Sequence, residues 1–396
     1  MIVCIAGKNK IAIEIAKVIL DRGLNLIACV NSNDDAINGW QPSYKKFCID
    51  NNIKICTLDE VENIEDLLFL SLEYDKIIVP NNFKSLRLFN IHFSLLPKYK
   101  GMFTSILPIL NNEKYSGVTF HKIDFGIDTG NIIFQKKFKI DKSDNSEKLY
   151  YKYLENGIKL IKDNLVDILE NKLIEIPQSW KGSSYYSKKT IDFDQIIIDP
   201  KNTAYQIHSF TKAFSFRPYQ LPKFHGSPIY LSKILKVKSV GKPGQIILED
   251  NFKFIINTID FQIVLYKDQL QVFFQSIIEN DIDKVKAIIK SKFPIETVDE
   301  NGWNALMVAC YHGRNQIIDL LIFNRAEMNS ANNNGTTVLM YAMTNFENTA
   351  DSSTFKKIIS LGADIYKKDF RGKNIFDYGF ERKNILLMEE LNKIKQ

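Results

Sequence analysis

Two stretches 33 residues apart carry nearly the same pattern, Gly302-Trp-Asn-Ala-Leu-Met-Val-Ala309 and Gly335-Thr-Thr-Val-Leu-Met-Tyr-Ala342. A short unit repeated at that period cannot bury its apolar face alone. It must stack on its neighbours, which confines the carboxyl-terminal third to a one-dimensional array. Projecting back by 33 residues puts Val272, Phe273 and the run 282–289 on matching apolar positions. A later unit holds Gly362-Ala-Asp364 and Gly372-Lys-Asn-Ile-Phe376, after four extra residues in the preceding loop. Stacking is expected to bury Leu306, Ala309, Leu320, Leu321 and Leu339 in one elongated all-α unit over residues 268–396.

The other two thirds follow a different rule. Met1–Ala6 and Leu24–Val30 are apolar and β-branched, as buried parallel strands are, and Ile11, Ile15, Val18 and Ile19 between them mark one face of a helix. Ile53–Cys56 and Asp75–Val79 supply further strands. This alternation predicts an open, doubly wound α/β sheet in a domain spanning 1–195. Gly7 is followed by Lys-Asn-Lys without the glycines of a dinucleotide loop, so it reads as a turn residue. From 196 to 267 short apolar runs (229–240, 245–248, 252–259 and 262–266) separated by Gly, Pro and Asn predict a small β-rich domain, reached through a helix near 203–212.

Composition narrows the function. Of 396 residues, 52 are basic and 46 acidic, a net +6 with no dominant basic block. That balance suits an anionic small molecule better than a nucleic-acid backbone. The five cysteines, at 4, 29, 48, 56 and 310, include no close pair, so neither a structural metal nor a disulfide framework is expected. With no basic leader and no apolar run long enough for a bilayer, the expected setting is cytoplasmic.

Chemistry concentrates in Asn90-Ile-His92-Phe-Ser94-Leu-Leu-Pro97-Lys-Tyr-Lys-Gly101 and Gly126-Ile-Asp128-Thr-Gly130. Residues two apart on an extended segment point the same way, so Asn90 and His92 can face one pocket beyond a sheet's carboxyl edge. Asp128 can fix the tautomer of His92 and stabilise its imidazolium. An amide donor beside such a pair suits attack of an amine on an activated carbonyl: Asn90 donates to the developing oxyanion and His92 handles the amine proton. Taken singly, Asn90 reads as a cap, His92 as a satisfied loop histidine and Asp128 as a turn former. Together they favour catalysis. His121 reads as structural.

These two blocks resemble the folate-dependent formyltransferases over roughly residues 1–225. The resemblance implies 10-formyltetrahydrofolate as donor, no metal, and catalytic roles for Asn90, His92 and Asp128. It further implies a donor pocket bordered by Lys76, Pro80, Asn81, Phe83 and Ile127. Two later segments, from Gln178 through Tyr185 to Asp192 and from Phe216 to Phe224, resemble the nucleotide-sugar branch. That branch implies acceptor contacts at Ser94, Lys98, Tyr99, Lys100, Tyr185, Arg217 and Tyr219. The 33-residue units resemble ankyrin repeats, and the combination resembles enzymes acting on dTDP-3-amino-3,6-dideoxyhexoses in bacterial surface-polysaccharide (lipopolysaccharide O-antigen) synthesis. The expected partners are a nucleotide sugar and a second copy of the chain, with Trp303 and Tyr311 as an accessory nucleotide-sugar site and neither nucleic acid nor membrane. A dTDP-4-amino sugar, methionyl-tRNA or glycinamide ribonucleotide remain alternative acceptors, and a non-enzymatic ankyrin scaffold the alternative class.

Overall fold

The computed structural model describes residues 1–217 and 219–395. They divide into two compact units, one holding residues 1–37, 41–249 and 253–266, the other residues 38–40, 250–252 and 267–396.

In the first unit the strands β1 (Ile2–Gly7), β2 (Asn25–Val30), β3 (Lys54–Ile55), β4 (Leu67–Leu72), β5 (Leu88–His92), β6 (Lys100–Gly101), β7 (Tyr115–Lys122), β8 (Ile132–Lys139) and β9 (Tyr185–Tyr186) follow in chain order. Seven of them form the main sheet, ordered β3-β2-β1-β4-β5-β7-β8. It is parallel from β3 to β5, and β7 and β8 add as antiparallel edge strands. Both faces of β1 and β4 are covered, which is why Val3-Cys-Ile-Ala6 and Leu67-Leu-Phe-Leu70 read as unbroken apolar runs. The helix Asn9–Asp21 buries Ile11, Ile15 and Ile19, and the helix Ser146–Asp163 buries Leu149, Tyr153, Leu160 and Ile161. Chain order reverses between β1 and β4, so the crevice at their carboxyl ends is the natural place for a ligand.

One expected strand is misplaced. Asp75–Val79 forms no strand; the sheet takes Leu67–Leu72 instead. The physical reason is continuity of apolar character, since the 67–72 run is buried throughout while Ile77 is 75% exposed. The segment 75–83 is the loop leaving β4, closed by a 3-10 turn at Pro80–Asn82.

The β-rich segment matches expectation in its elements. Strands β10 (Lys223–Phe224), β11 (Ser227–Lys238), β12 (Ile246–Glu249), β13 (Lys253–Asn257) and β14 (Phe261–Lys267) form a sheet ordered β10-β11-β14-β13-β12, antiparallel at β10–β11, β14–β13 and β13–β12. Its core of Ile229, Phe254, Ile256, Ile263 and Leu265 packs on Ala204 and Ile207 of the helix Ala204–Phe214. Thr203 and Gln206 start that helix with a reciprocal capping box. This sheet lies in the same compact unit as the main one.

The second unit is a run of helix pairs: 270–278 with 282–290, 305–311 with 315–323, 338–349 with 353–360, and 375–382 with 385–395. Asn304 and Thr337, at matching repeat positions, cap successive first helices by accepting from the amides of Met307 and Met340. Leu306, Ala309, Leu321 and Leu339 are buried, whereas Leu320 is half-buried. The extra residues before Gly362 do not lengthen a loop. They extend a first helix, which has 12 residues at 338–349 against 7 at 305–311, because Val338-Leu-Met-Tyr-Ala-Met343 sustains a buried helical face.

Candidate active site

Strand β5 delivers Asn90 and His92 to the carboxyl edge on one side of the sheet. Antiparallel pairing with β7 sets His121 opposite Asn90 and Thr119 opposite His92. After β7 the chain turns through Gly126–Gly130 and returns as β8. Asp128 takes a left-handed φ of 55° in that turn, a conformation that costs an ordinary residue about 1 kcal/mol or more and persists only where neighbours enforce it. Two neighbours do. The Gln178 amide donates to the carbonyls of Asp128 (2.9 Å) and Gly130 (2.7 Å), and a Cβ at Gly130 would stand 1.9 Å from the Lys122 carbonyl oxygen, so only glycine fits.

The three side chains converge. His92 Nδ1 lies 3.4 Å from Asp128 Oδ2, and Asn90 Nδ2 lies 3.4 Å from Asp128 Oδ1. His92 Nε2 is 2.8 Å from the Tyr99 carbonyl, which can only accept, so that nitrogen carries a proton. The Gly101 amide donates to Asp128 Oδ2 at 2.8 Å. Gly101 has φ of 82°, and a Cβ there would meet the Tyr186 carbonyl at 2.3 Å. His121 closes the cluster from behind. Its Nδ1 donates to the Lys122 carbonyl at 2.8 Å, and its Nε2 stands 3.1 Å from Asn90 Nδ2 and 3.5 Å from Asp128 Oδ1.

Electrostatics follow from this packing. Burial alone would raise the Asp128 carboxyl, but the charge available on His92, the His121 contact and the Gly101 amide together hold it well below the usual carboxylate range. Asp128 is therefore an anion at neutral pH. An anion wedged between two imidazoles and beside a carboxamide can orient a neutral amide donor and stabilise a proton taken up by an imidazole.

The remaining expected contacts divide. Ser94 is fully buried and its hydroxyl donates to the Lys98 carbonyl at 2.7 Å, which shapes the loop. Tyr99 is buried as well. Its hydroxyl donates to Glu113 (3.0 Å), its ring stacks on Tyr186 at 5.7 Å, and only its carbonyl reaches the cluster, through His92. Lys98 is on the surface, paired with Glu113 at 3.3 Å. Lys100 is buried, in register with Tyr185, which is half exposed. Phe83 belongs to the core, edge-on to Phe69 at 5.2 Å, because its side chain continues the apolar cluster under β4. In the same loop Pro80 is half-buried, Lys76 and Asn81 are exposed, and Ile127 is exposed across the turn. The Arg217 charge faces Glu147, Tyr219 packs edge-on to Phe216 at 5.0 Å, and Pro218 between them lies outside the described residues. Trp303 sits 4.2 Å from Tyr341 and 5.4 Å from Tyr311, ring centre to ring centre; the two tyrosines are on helices of the repeat array, and Trp303 just precedes the cap of one.

Sequence reasoning passed over His121. Its signal was the strict alternation in β7, where Val118 and Phe120 are apolar while Thr119 and His121 are polar; in a strand that places both on the side carrying Asn90 and His92. Among the described residues no group of three or more His, Cys, Asp or Glu could hold a metal ion, and no helix is long and apolar enough to cross a membrane.

A sheet with this order, a loop of this shape after β5 and an Asn–His–Asp cluster at its edge define the formyl-transfer class. Residues 59–165 match the formyl transferase family, and residues 273–369 match ankyrin repeats in three copies. WlaRD, a sugar 3N-formyl transferase solved in the presence of dTDP and 5-N-formyl-THF, is 47% identical, with a TM-score of 0.62 over 67% of this chain and 97% of its own. An N-formyltransferase from Helicobacter canadensis, solved with folinic acid and dTDP-3-aminofucose, is 41% identical, with a TM-score of 0.63 over 68% of this chain and 100% of its own. Methionyl-tRNA formyltransferase of Ureaplasma parvum is 29% identical over 277 residues, 65% of this chain and 90% of that protein. The chain belongs to the formyltransferase family, closely related to its sugar N-formyltransferases, and carries a separate ankyrin-repeat region.

Proposed function

We propose that the protein transfers the formyl group of 10-formyltetrahydrofolate to the primary amine of a nucleotide-linked dideoxy amino sugar, with dTDP-3-amino-3,6-dideoxy-D-glucose as the leading acceptor. The observation that carries this reading is the convergence of Asn90, His92 and Asp128 at the carboxyl edge of β5. The acceptor class rests on the two relatives above, crystallised with dTDP and with dTDP-3-aminofucose.

The residues present suit a folate. Ile77, Val79, Phe125 and Ile127 expose apolar surface on the loops that follow β4 and β7, as a flat heterocycle requires. Lys76, Pro80, Asn81 and Ile127 would border the donor. When the amine attacks, negative charge gathers on the formyl oxygen and positive charge on the nitrogen. Asn90 Nδ2–H donates to the oxygen, and the His92–Asp128 pair takes the proton released from the nitrogen. Lys100, Tyr185, Arg217 and Tyr219 are proposed to hold the nucleotide sugar.

Residues 1–195, 196–267 and 268–396 are proposed as catalytic, β-rich and repeat domains. A homodimer and a second nucleotide-sugar site at Trp303 and Tyr311 belong to the same reading, supported for the latter by the packing of these two half-buried rings on the buried Tyr341. The likeness to methionyl-tRNA formyltransferases favours transfer RNA as the second candidate acceptor. A panel of dTDP-3-amino and dTDP-4-amino sugars with charged initiator tRNA tests the assignment. Highest kcat/KM on a dTDP-3-amino sugar supports it, and selective turnover of tRNA overturns it.

A further inference from the structure

A second polar cluster occupies the same edge of the main sheet, beyond β4. Glu73 follows that strand with a left-handed φ of 61°. The Asn31 amide holds its carbonyl at 3.0 Å, while Ser32 donates twice to Asp75, fixing the turn on both sides. A strained non-glycine backbone held this firmly usually serves to aim a side chain. Here the carboxylate points to Tyr150 of the helix Ser146–Asp163, with both oxygens 3.0 Å from its hydroxyl. Tyr150 in turn accepts from Asn9 at 3.3 Å and packs edge-on to Phe93, next in chain to His92.

The cluster is short of donors. Only the Tyr150 phenol and the Asn9 amide donate to the two carboxylate oxygens, which offer about four acceptor sites. Glu73 forms no ion pair among the described residues, and Asn31 Oδ1, on the side chain that holds the Glu73 carbonyl, is buried without a hydrogen-bond partner. Unmet acceptors at a ligand-binding edge select for a ligand rich in donors, and an amino sugar brings hydroxyls and an ammonium.

We infer that Glu73 is a specificity-determining residue of the acceptor pocket, accepting a hydrogen bond from a hydroxyl or the ammonium of the amino sugar. The inference rests on the acceptor class proposed above. Titration supports it. Burial raises the Glu73 carboxyl to about 7, against the pull of Lys8 and the hydrogen bonds of Tyr150 and Asn9. Besides Lys8 and Tyr150, Tyr219 is the other titratable group that feels it directly. Acceptor binding that needs the anion therefore weakens as pH falls through about 7.

The test is Glu73→Gln in the full chain, since Gln still accepts from Tyr150. The expected result is an acceptor KM raised about ten- to a hundredfold, the range for a charge-assisted hydrogen bond, with donor KM unchanged. The acidic limb of kcat/KM for the acceptor near pH 7 should also vanish. Dead-end analogues lacking either the amine or the neighbouring hydroxyl identify the contact, because the analogue bound equally by wild type and variant has lost it. An unchanged acceptor KM and pH profile in an active variant, or a gap that neither analogue closes, overturns the inference alone. Wild-type protein that formylates no amino sugar overturns it together with the acceptor class.

Discussion

Asp128 connects every part of the candidate site, touching both imidazoles, the Asn90 amide and the Gly101 N–H. Because its carboxyl is depressed, its ionised form favours the fold above the ordinary aspartate value of 3.8, and that contribution is lost only as pH falls through the lower folded value. Asp128→Asn should therefore lower Tm at pH 7 and match wild type in strong acid, and it should reduce kcat by about 10²–10⁴. Urea melts across pH and single-turnover formylation rates check the two halves separately. Asn90→Ala, which removes an oxyanion donor, should lower kcat about 10²–10³-fold with little effect on Tm. Glu73 gives the opposite pH sign. Its raised carboxyl favours the fold below the ordinary glutamate value of 4.5 and stops doing so above about 7. Glu73→Gln should thus gain in Tm relative to wild type between pH 5 and pH 8; a constant difference across that range would contradict the burial argument.

At the scale of elements, the turn between β7 and β8 decides whether the side chains meet. Gly130→Ala forces a Cβ onto the Lys122 carbonyl and should displace Asp128, cutting kcat/KM while far-ultraviolet circular dichroism stays unchanged. Full activity in that variant would mean the turn tolerates the shift. Much of the scaffold was legible in the chain. β1, the helix Asn9–Asp21 and the small sheet announce themselves through unbroken or alternating apolar runs, and Asn90, His92 and Asp128 through spacing and the glycines around them. The errors have physical causes. Ile77–Val79 looks like a strand locally, but the sheet selects the longer run at Leu67–Leu72, which buries more surface. Of the expected contacts, Phe83 and Tyr99 pack their rings on Phe69 and Tyr186 in this structure. The alternation in β7 marks the face of His121, but the register that sets it opposite Asn90 and the left-handed turn that aims Glu73 are not visible in one sequence.

Across the whole molecule, the two compact units have separate cores. Leu339 is buried between helices of the repeat array, and Leu339→Ala should cost about 2–5 kcal/mol there. Denaturation followed by the indole of Trp303 should report that loss. The first unit, which ends at residue 266, holds the main sheet and the whole Asn90–His92–Asp128 cluster. A chain ending at residue 267 is expected to fold and to retain formyl transfer, with any role of the repeats appearing in acceptor affinity or regulation. The most direct test is to supply 10-formyltetrahydrofolate with dTDP-3-amino-3,6-dideoxy-D-glucose and follow the N-formyl product by mass spectrometry, wild type beside His92→Asn. Product from wild type and a loss of at least about 10²-fold in the variant are predicted; equal rates from both folded proteins would contradict the account.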